Sequence, residues 1–150
     1  MDYNKLAESF LTAVKGHGKQ EVMSRFNVYS QGEHQVLFYL YKSSGKATVP
    51  SDIAKYTNTS TARIANILNN LEEKGMVTRE ISRDDRRKIL VAITDKGRKK
   101  AENSRNQFVG HVARVLEEMG EERAQNFVEN FGLFLELGMK IVKEEVEKND

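Results

Sequence analysis

The sequence contains no cysteine, no tryptophan and a single proline among 150 residues. Because cysteine is absent, a disulfide framework, a thiolate zinc site and a thiol redox sensor are all excluded for this chain. No apolar run approaches the roughly 20 residues that a membrane-spanning helix needs. The N-terminus MDYNKLAESF also lacks the basic and apolar blocks of a signal peptide. We therefore expect a cytoplasmic protein.

Motifs for catalysis and for metal binding are also lacking. The sequence has no glycine-rich phosphate loop, no nucleophile motif and no paired acid-base constellation, so we expect a protein that is not an enzyme and needs no cofactor. His17, His34 and His111 lie far apart without ligand-like spacing. Glu33 beside His34 is the only local hint of a metal, and we predict no metal site.

The charge of the chain is small in sum but uneven along the sequence. The formal net charge is +2, yet residues 79–100 hold nine Lys or Arg against four acids, and residues 117–150 hold four against ten. Such an asymmetry indicates that the basic and the acidic stretch have different functions, although both could be ordinary solvated faces. Within the basic stretch, Arg86, Arg87 and Lys88 are consecutive and repel one another unless something anionic meets them.

The first third of the sequence reads as helical. Apolar residues recur at helical spacing in residues 3–14 and again in residues 22–26, with the break GHGK between them, which predicts one interrupted helix or two short ones. In the segment SQGEHQVLFYLYKSSG, Ser30 is a plausible N-cap of a nearly all-apolar helix that stops at SSG. This helix is expected at the centre of the core.

Residues 47–75 predict two helices joined by a tight turn. Pro50 suits a first helical position, and Asp52 suits the positive end of a helix dipole. Asn58 can adopt the left-handed conformation of a tight turn, and Ser60 can cap a second helix that ends at Gly75. This layout is typical of a helix-turn-helix.

The second of these helices has two different faces. Its inner stripe, within about 100° of arc, holds Ile64, Ile67, Leu68 and Leu71, whereas Ala62, Asn66, Asn69 and Glu73 point outward and Arg63 and Asn70 flank them. The outer face of its N-terminal half carries small and hydrogen-bonding side chains instead of the usual Lys and Glu. We interpret it as a recognition surface, the alternative being an ordinary polar helix exterior.

A basic hairpin and two long helices follow. MVTREIS and ILVAIT are rich in β-branched residues and are joined by RDDRRK, which predicts a β-hairpin with a protruding basic tip, the wing. Thr94 or Asp95 can then cap a long helix that stops at Gly120. The last helix is apolar over so much of its circumference that a partner subunit is its simplest cover. Its apolar residues are Ala124, Phe127, Val128, Phe131, Phe134, Leu135, Ile141 and Val142.

In this order of elements the sequence resembles the MarR family of winged-helix transcriptional regulators. The family's wing pattern matches Asp85, Arg87, Val91, Ile93, Thr94 and Gly97, and the end of its recognition helix matches residues 71–77, LEEKGMV. The chain departs from the family at Val49, where a capping residue is usual, and at Asn66, where many relatives carry arginine.

The resemblance implies a mainly α fold: a winged helix-turn-helix with a small β-hairpin wing, plus N- and C-terminal dimerisation helices. We expect a DNA-binding lobe at residues 30–100 and a dimerisation lobe from residues 1–29 with 101–150. The implied function is that of a homodimer on a palindromic operator in double-stranded DNA, usually repressing nearby genes until a small-molecule effector binds. The runner-up interpretation is a winged-helix module for protein–protein assembly without sequence-specific DNA binding.

The predicted contacts with DNA lie on the wing and on the second helix. Asp85 is expected to pair with Arg87 and to aim it into the minor groove, while neighbouring cations bind phosphates. The helix would enter the major groove by its N-terminal turn. The predicted site residues are Ser60, Thr61, Ala62, Arg63, Asn66 and Asn69 on the helix, and Arg83, Asp85, Arg86, Arg87 and Lys88 on the wing.

A ligand site is expected where the dimerisation helices meet the DNA-binding lobe, because a wedge there changes the spacing of the two recognition helices. Aromatic residues at helical spacing are more often plain core. The candidate lining residues are Phe10, His17, Phe38, Tyr41 and Phe108. A membrane-surface role is not expected, because the basic cluster lies on a hairpin and not opposite the apolar stripe of a helix.

Overall fold

The computed structural model of the chain describes residues 1–15, 17–29, 31–43 and 46–148, and it contains the elements that the sequence predicts, in the predicted order. They are α1 (Tyr3–Val14), α2 (His17–Tyr29), α3 (Gly32–Lys42), α4 (Pro50–Tyr56), α5 (Thr61–Glu73), β1 (Val77–Ile81), β2 (Ile89–Ile93), α6 (Asp95–Met119) and α7 (Glu121–Glu147).

The N-terminal segment forms two helices, and the break between them is shorter than predicted. Asp2 caps α1, since its carboxylate accepts hydrogen bonds from the backbone N–H groups of Asn4 and Lys5. Lys15 ends α1, and α2 begins at His17, so most of the GHGK stretch is helical. The sequence predicts a break at these glycines, but Gly18 lies inside α2, because a helix tolerates a single glycine at a cost of about 1 kcal/mol.

The core forms where α3, α4, α5 and the hairpin meet, as the apolar stretch of α3 predicts. The proposed cap Ser30 lies outside the described residues, and Gln31 occupies the N-cap position. Packing these apolar side chains together stabilises the fold by roughly 1.5–3 kcal/mol for each one fully buried. The buried apolar residues are Val36, Leu37, Leu40, Ile53, Ala54, Ile64, Leu68, Leu71, Val77, Val91 and Ala101.

Helices α4 and α5 form the predicted helix-turn-helix. Pro50 is the first residue of α4, and Val49 precedes it without a side-chain cap. Asn58 adopts a positive φ of 48° in the turn, a conformation that asparagine tolerates better than most residues. The Ser60 hydroxyl then accepts a hydrogen bond from the Arg63 N–H at 3.3 Å and caps α5. Gly75 follows the end of α5 with a φ of 67°, as expected of a helix C-terminus.

The hairpin is antiparallel, and its register pairs Val77 with Ile93 and Ile81 with Ile89. Thr48 forms an isolated antiparallel bridge with Val91, because the two residues exchange backbone hydrogen bonds of 3.0 and 2.7 Å. These two bonds tie the middle of β2 to the chain just before α4. The wing therefore stands on the same core as the helix-turn-helix.

The chain divides into two compact units, Met1–Phe108 and Val109–Asp150. The first contains the core and the hairpin. The second consists of the end of α6 and the whole of α7, with the predicted turn between them at Gly120. No residue of α7 is buried. Phe134 of α7 is 56% exposed and Val142 is 58% exposed. The predicted grouping of residues 1–29 with 101–150 as a dimerisation lobe stays a prediction.

In the ranges that the structure describes, none of the helices has both the length and the apolar character needed to cross a bilayer.

Candidate nucleic-acid interface

The tip of the wing holds the predicted pair of Asp85 and Arg87. The Arg87 Nε donates to Asp85 Oδ1 at 3.2 Å, and the Arg87 backbone N–H donates to the same oxygen at 3.1 Å. Lys88 Nζ lies 3.9 Å from the other carboxylate oxygen. The hydrogen bond from the Arg87 side chain, then that from its backbone, lowers the pKa of Asp85, so the carboxylate stays ionised. The expected pairing within the wing is therefore confirmed.

This pairing orients Arg87 without hiding it. The Arg87 side chain remains 90% exposed, whereas that of Asp85 is only 28% exposed. An exposed ion pair contributes little to stability, about 0–1 kcal/mol. Its effect is geometric, because two bonds to one oxygen restrict the directions that the start of the arginine side chain can take. Arg83 and Arg86 are exposed beside it, and neither joins an ion pair within the described ranges.

Helix α5 presents the predicted faces. Ile64, Leu68 and Leu71 are buried and Ile67 is half-buried, so the helix is fixed to the core by one side. The predicted contact residues on its other side are all exposed. They are Ser60, Thr61, Ala62, Arg63, Asn66 and Asn69. The exposed side of α5 thus combines the backbone N–H groups at its N-terminus, the Arg63 guanidinium and the amide side chains of Asn66 and Asn69, which suit phosphate oxygens and base edges.

Two contacts connect the end of α5 to the wing. The Arg79 guanidinium on β1 donates to Glu72 Oε2 through Nε at 2.9 Å and again through Nη2. The side-chain hydrogen bond from Arg79 lowers the pKa of Glu72. The Thr94 hydroxyl donates to the Gly75 carbonyl at 2.8 Å and accepts from the Gly97 N–H at 3.1 Å, so Thr94, and not Asp95, caps α6. Wing and helix are therefore held in a fixed relation.

A third contact ties α5 to the start of α3. Lys74 Nζ lies 2.7 Å from Glu33 Oε1 and donates to both carboxylate oxygens. Lys96 Nζ donates to the Lys74 carbonyl at 2.7 Å. Glu33, the local hint of a metal in the sequence, is thus engaged in an ion pair. In the described ranges no group of three His, Cys, Asp or Glu residues is placed to hold a metal ion.

A cavity of about 310 Å³ lies between the start of α3, the turn after α4 and the first half of α5. Its lining includes the exposed polar residues Gln31, Asn58 and Arg63 and the buried apolar residues Val36 and Ile64. The lining residues are Gln31, Gly32, Gln35, Val36, Thr57, Asn58, Thr59, Arg63, Ile64 and Ile67. Of these, only Arg63 was predicted as a contact residue.

The predicted effector residues do not line this cavity. Phe10 is half exposed on α1, and the His17 side chain is outside the described part of the structure. Phe38 and Tyr41 are half-buried on α3, each with a cation near its ring: Lys42 Nζ lies 5.3 Å from the ring centre of Phe38, and Arg98 Cζ lies 5.9 Å from that of Tyr41. Phe108 is half-buried on α6. The effector site stays a prediction.

Sequence reasoning did not identify Gln31, Gln35, Glu72 and Arg79 as parts of this surface. Glu72 and Arg79 are seven residues apart on either side of the turn at Gly75, and their opposite charges were a usable signal. Gln31 and Gln35 had no such signal, because they approach α5 only through the packing of α3.

Residues 29–88 match the sequence model of a family described as the MarR family. The HTH-type transcriptional repressor YetL of Bacillus subtilis is 27% identical over 103 residues, which are 69% of this chain and 62% of that protein. The chain thus spans less than two thirds of the length of this curated relative.

Two solved structures have a similar fold. MepR, a transcription regulator of the Staphylococcus aureus multidrug efflux pump MepA, gives a TM-score of 0.64 at 22% identity, over 91% of this chain and 98% of that chain. Streptococcus pneumoniae FabT in complex with DNA gives 0.63 at 21% identity, over 93% and 99%. At these identities the likeness concerns the fold alone, and it confirms the predicted winged helix-turn-helix architecture.

Proposed function

We propose that the chain, whose residues 29–88 match the model of the MarR family, is a member of that family and a sequence-specific DNA-binding transcriptional regulator. It acts as a cytoplasmic homodimer on a pseudo-palindromic operator, represses transcription and responds to a small-molecule effector. Its two recognition helices read half-sites roughly 10 base pairs apart, centre to centre. The curated relative YetL is a transcriptional repressor, and FabT has been solved in complex with DNA, which supports this assignment.

The observation that carries the proposal is the exposed Arg87 at the wing tip, oriented by Asp85 and flanked by further cations. A cluster of exposed positive charge on a protruding hairpin attracts the phosphate backbone of duplex DNA. An arginine with a fixed direction can enter a minor groove, where narrow A·T-rich stretches concentrate negative potential. Arg83, Arg86 and Lys88 then contact the phosphates on either side.

Helix α5 supplies the sequence-reading contacts in the major groove. The first turn of α5 enters the groove first, because the Ser60 cap leaves the neighbouring backbone N–H groups facing outward at the positive end of the helix dipole. Asn66 suits adenine, with which an amide side chain makes two hydrogen bonds. Asn69 lies one turn farther from the helix start and contributes less.

The dimer is supported by the apolar surface of the terminal helices. Large apolar side chains of α1 and α7, including Leu6, Phe131 and Phe134, are about half exposed. Apolar surface of this extent, on each of these two helices, is unusual on a monomer and typical of a subunit interface. A second copy of the chain covers it, and the pairing presents two wings and two α5 helices to one duplex.

The testing experiment is a titration of wild type and Arg87→Ala on duplex DNA from upstream of the protein's own gene, with random duplex in parallel. Wild type is expected to prefer the upstream DNA and to lose affinity steeply as salt rises, because Lys and Arg contacts release counterions. Arg87→Ala is expected to bind about tenfold to a hundredfold more weakly. Circular dichroism and sedimentation of the variant should match wild type.

Arg105→Ala is the matched control, since Arg105 is an exposed arginine on α6, outside α5 and the wing. It removes the same charge and should leave affinity near that of wild type. Equal losses in the two variants would contradict a specific role for the wing. Equal binding of wild type to upstream and random DNA would favour the alternative function, a winged-helix module for protein–protein assembly.

A further inference from the structure

Two large apolar side chains lie exposed together on the wing. Ile81 ends β1 and Ile89 begins β2, and the register of the hairpin sets them directly opposite each other. Ile81 is 67% exposed and Ile89 is 46% exposed. Because the Cβ atoms of directly opposed residues lie about 4.5–5.5 Å apart, the two side chains form one apolar patch, the isoleucine pair.

The isoleucine pair lies on the face of the hairpin that is turned toward α5. Side chains alternate between the two faces of a strand, so Ile81 shares its face with Val77 and Arg79. Val77 is buried in the core, and the Arg79 guanidinium donates to Glu72 at the end of α5. The pair therefore continues this inner face of the hairpin beyond the part that the core covers.

The loop that joins the two isoleucines is closed by hydrogen bonds. The Ser82 N–H donates to the Lys88 carbonyl at 2.9 Å, and the Lys88 N–H donates to the Asp85 carbonyl at 2.8 Å. The isoleucine pair is consequently held in a fixed position relative to the start of the Arg87 side chain, which Asp85 orients. A surface that is preorganised in this way loses less conformational entropy when it binds a partner.

The charges beside the isoleucine pair identify the kind of partner that fits it. The loop between the two isoleucines, residues 82–88, holds four Lys or Arg against two acids. An apolar patch beside this much positive charge matches a surface that is itself apolar and bordered by negative charge. The wall of a DNA groove has this character, because the C–H groups of the deoxyribose rings lie between the phosphates. Isoleucine is among the apolar residues that proteins place against the minor groove.

The inner face of the wing sets the isoleucine pair against one strand of the duplex. Under the proposed function α5 enters the major groove and Arg87 enters the neighbouring minor groove, so the strand that separates the two grooves passes between them. We propose that the isoleucine pair packs on deoxyribose rings of this strand and contributes a part of the affinity that does not depend on salt. This inference rests on the proposed function and adds a contact that the cations of the wing do not make.

The first test removes apolar surface and keeps the branching of the side chain. Ile81→Thr retains a β-branched residue in the strand, so circular dichroism should show a folded variant. Its affinity for upstream DNA should fall about threefold to tenfold, because a hydroxyl replaces the apolar end that the sugar rings cover. Ile89→Thr should act in the same direction. Random duplex should lose affinity by the same factor, since sugar contacts carry no sequence information.

Salt dependence separates this contact from the ionic contacts of the wing. The slope of log affinity against log salt should be the same for Ile81→Thr as for wild type, because an apolar contact releases no counterion. Arg87→Ala should reduce that slope by about 1. Thr78→Ala is the matched control, since Thr78 is exposed on the opposite face of the same strand, and it should bind like wild type.

A second arm changes the sugar instead of the protein. Pairs of duplexes carry, at one position each, either an abasic tetrahydrofuran residue or a propyl spacer, so that both lack the base and only the first keeps the ring. At one or more positions the propyl spacer should bind wild type more weakly than the tetrahydrofuran residue does. Ile81→Thr should lose this difference at the same positions, because the ring and the isoleucine are coupled.

Equal affinities of Ile81→Thr and Thr78→Ala on a duplex that wild type binds would overturn the sugar contact and leave the proposed function intact. A difference between the two spacers that Ile81→Thr retains at every position would overturn it as well. Loss of the dimer by Ile81→Thr in sedimentation would mean that a second copy of the chain covers the pair instead of DNA. If wild type binds no duplex, the proposed function fails and the sugar contact fails with it.

Discussion

Ile53 offers a quantitative test of the fold that positions the interface. It lies on α4, its side chain is 0% exposed, and it packs in the core against α3, α5 and the hairpin. Ile53→Ala removes buried methyl and methylene groups and leaves a cavity, because close-packed neighbours relax only partly. The free energy of unfolding should fall by about 2–5 kcal/mol. Since domains of this size are stable by about 5–15 kcal/mol, the loss is a large fraction of the total.

Ile81→Ala is the matched control, because Ile81 lies at the far end of β1 and is 67% exposed. The same truncation there should change the free energy of unfolding by less than about 1 kcal/mol. Urea unfolding at one fixed protein concentration measures both changes, since the proposed dimerisation would make apparent stability depend on concentration. If Ile53→Ala were no more destabilising than Ile81→Ala, the described core around α4 would be wrong.

Two further predictions concern the junctions around α6 and α3. A side chain at Gly97 would overlap the carbonyl oxygen of Met76, so Gly97→Ala should lower the free energy of unfolding by about 1–3 kcal/mol. Gly110→Ala on the same helix, where a Cβ would have nothing within 4 Å, should raise it by about 0.5–1 kcal/mol. Equal effects of the two substitutions in thermal melts would exclude the close contact. Burial of His34 lowers its pKa, and the charge of Lys100 lowers it further. The stability gained from the neutral imidazole is therefore present above its ordinary pKa of 6.5, and it is lost as pH falls toward the lowered pKa. On acidification from about pH 7.5 to about 5.5, the melting temperature of wild type should therefore fall more than that of His34→Gln, and parallel curves would rule this out.

The helix-turn-helix and the wing could be predicted from sequence because their determinants are local. Pro50, Asn58 and Ser60 each act within a few residues, through a fixed φ, a tolerated left-handed conformation and a capping bond. The pairing of Asp85 with Arg87 is also local, since only one residue separates them. The spacing of Ile64, Leu68 and Leu71 predicted the inner face of α5 in the same way.

The contacts that join these elements could not be predicted in this way. A helical period shows which face of a helix is buried, but it does not show which helix covers that face. The bond between Glu33 and Lys74 joins positions 41 residues apart, and the cavity brings Gln35 next to Arg63 by tertiary packing alone. The bridge from Thr48 to Val91 also joins residues that are far apart in the sequence. Nothing in the short segment around Thr48 distinguished that segment from a loop.

Under the proposed function, these long-range contacts limit how the lobe can respond to an effector. Helix α5 is buried along one face, and its end is held by Arg79 from the wing and by Glu33 from α3. Turning α5 alone would expose Leu68 and Leu71 and break these pairs, which costs several kcal/mol. An effector that moves the lobe as a unit meets no such cost. We therefore expect regulation to change the spacing of the two lobes on the operator, so that the relation between Arg87 and α5 stays the same in the bound and released states.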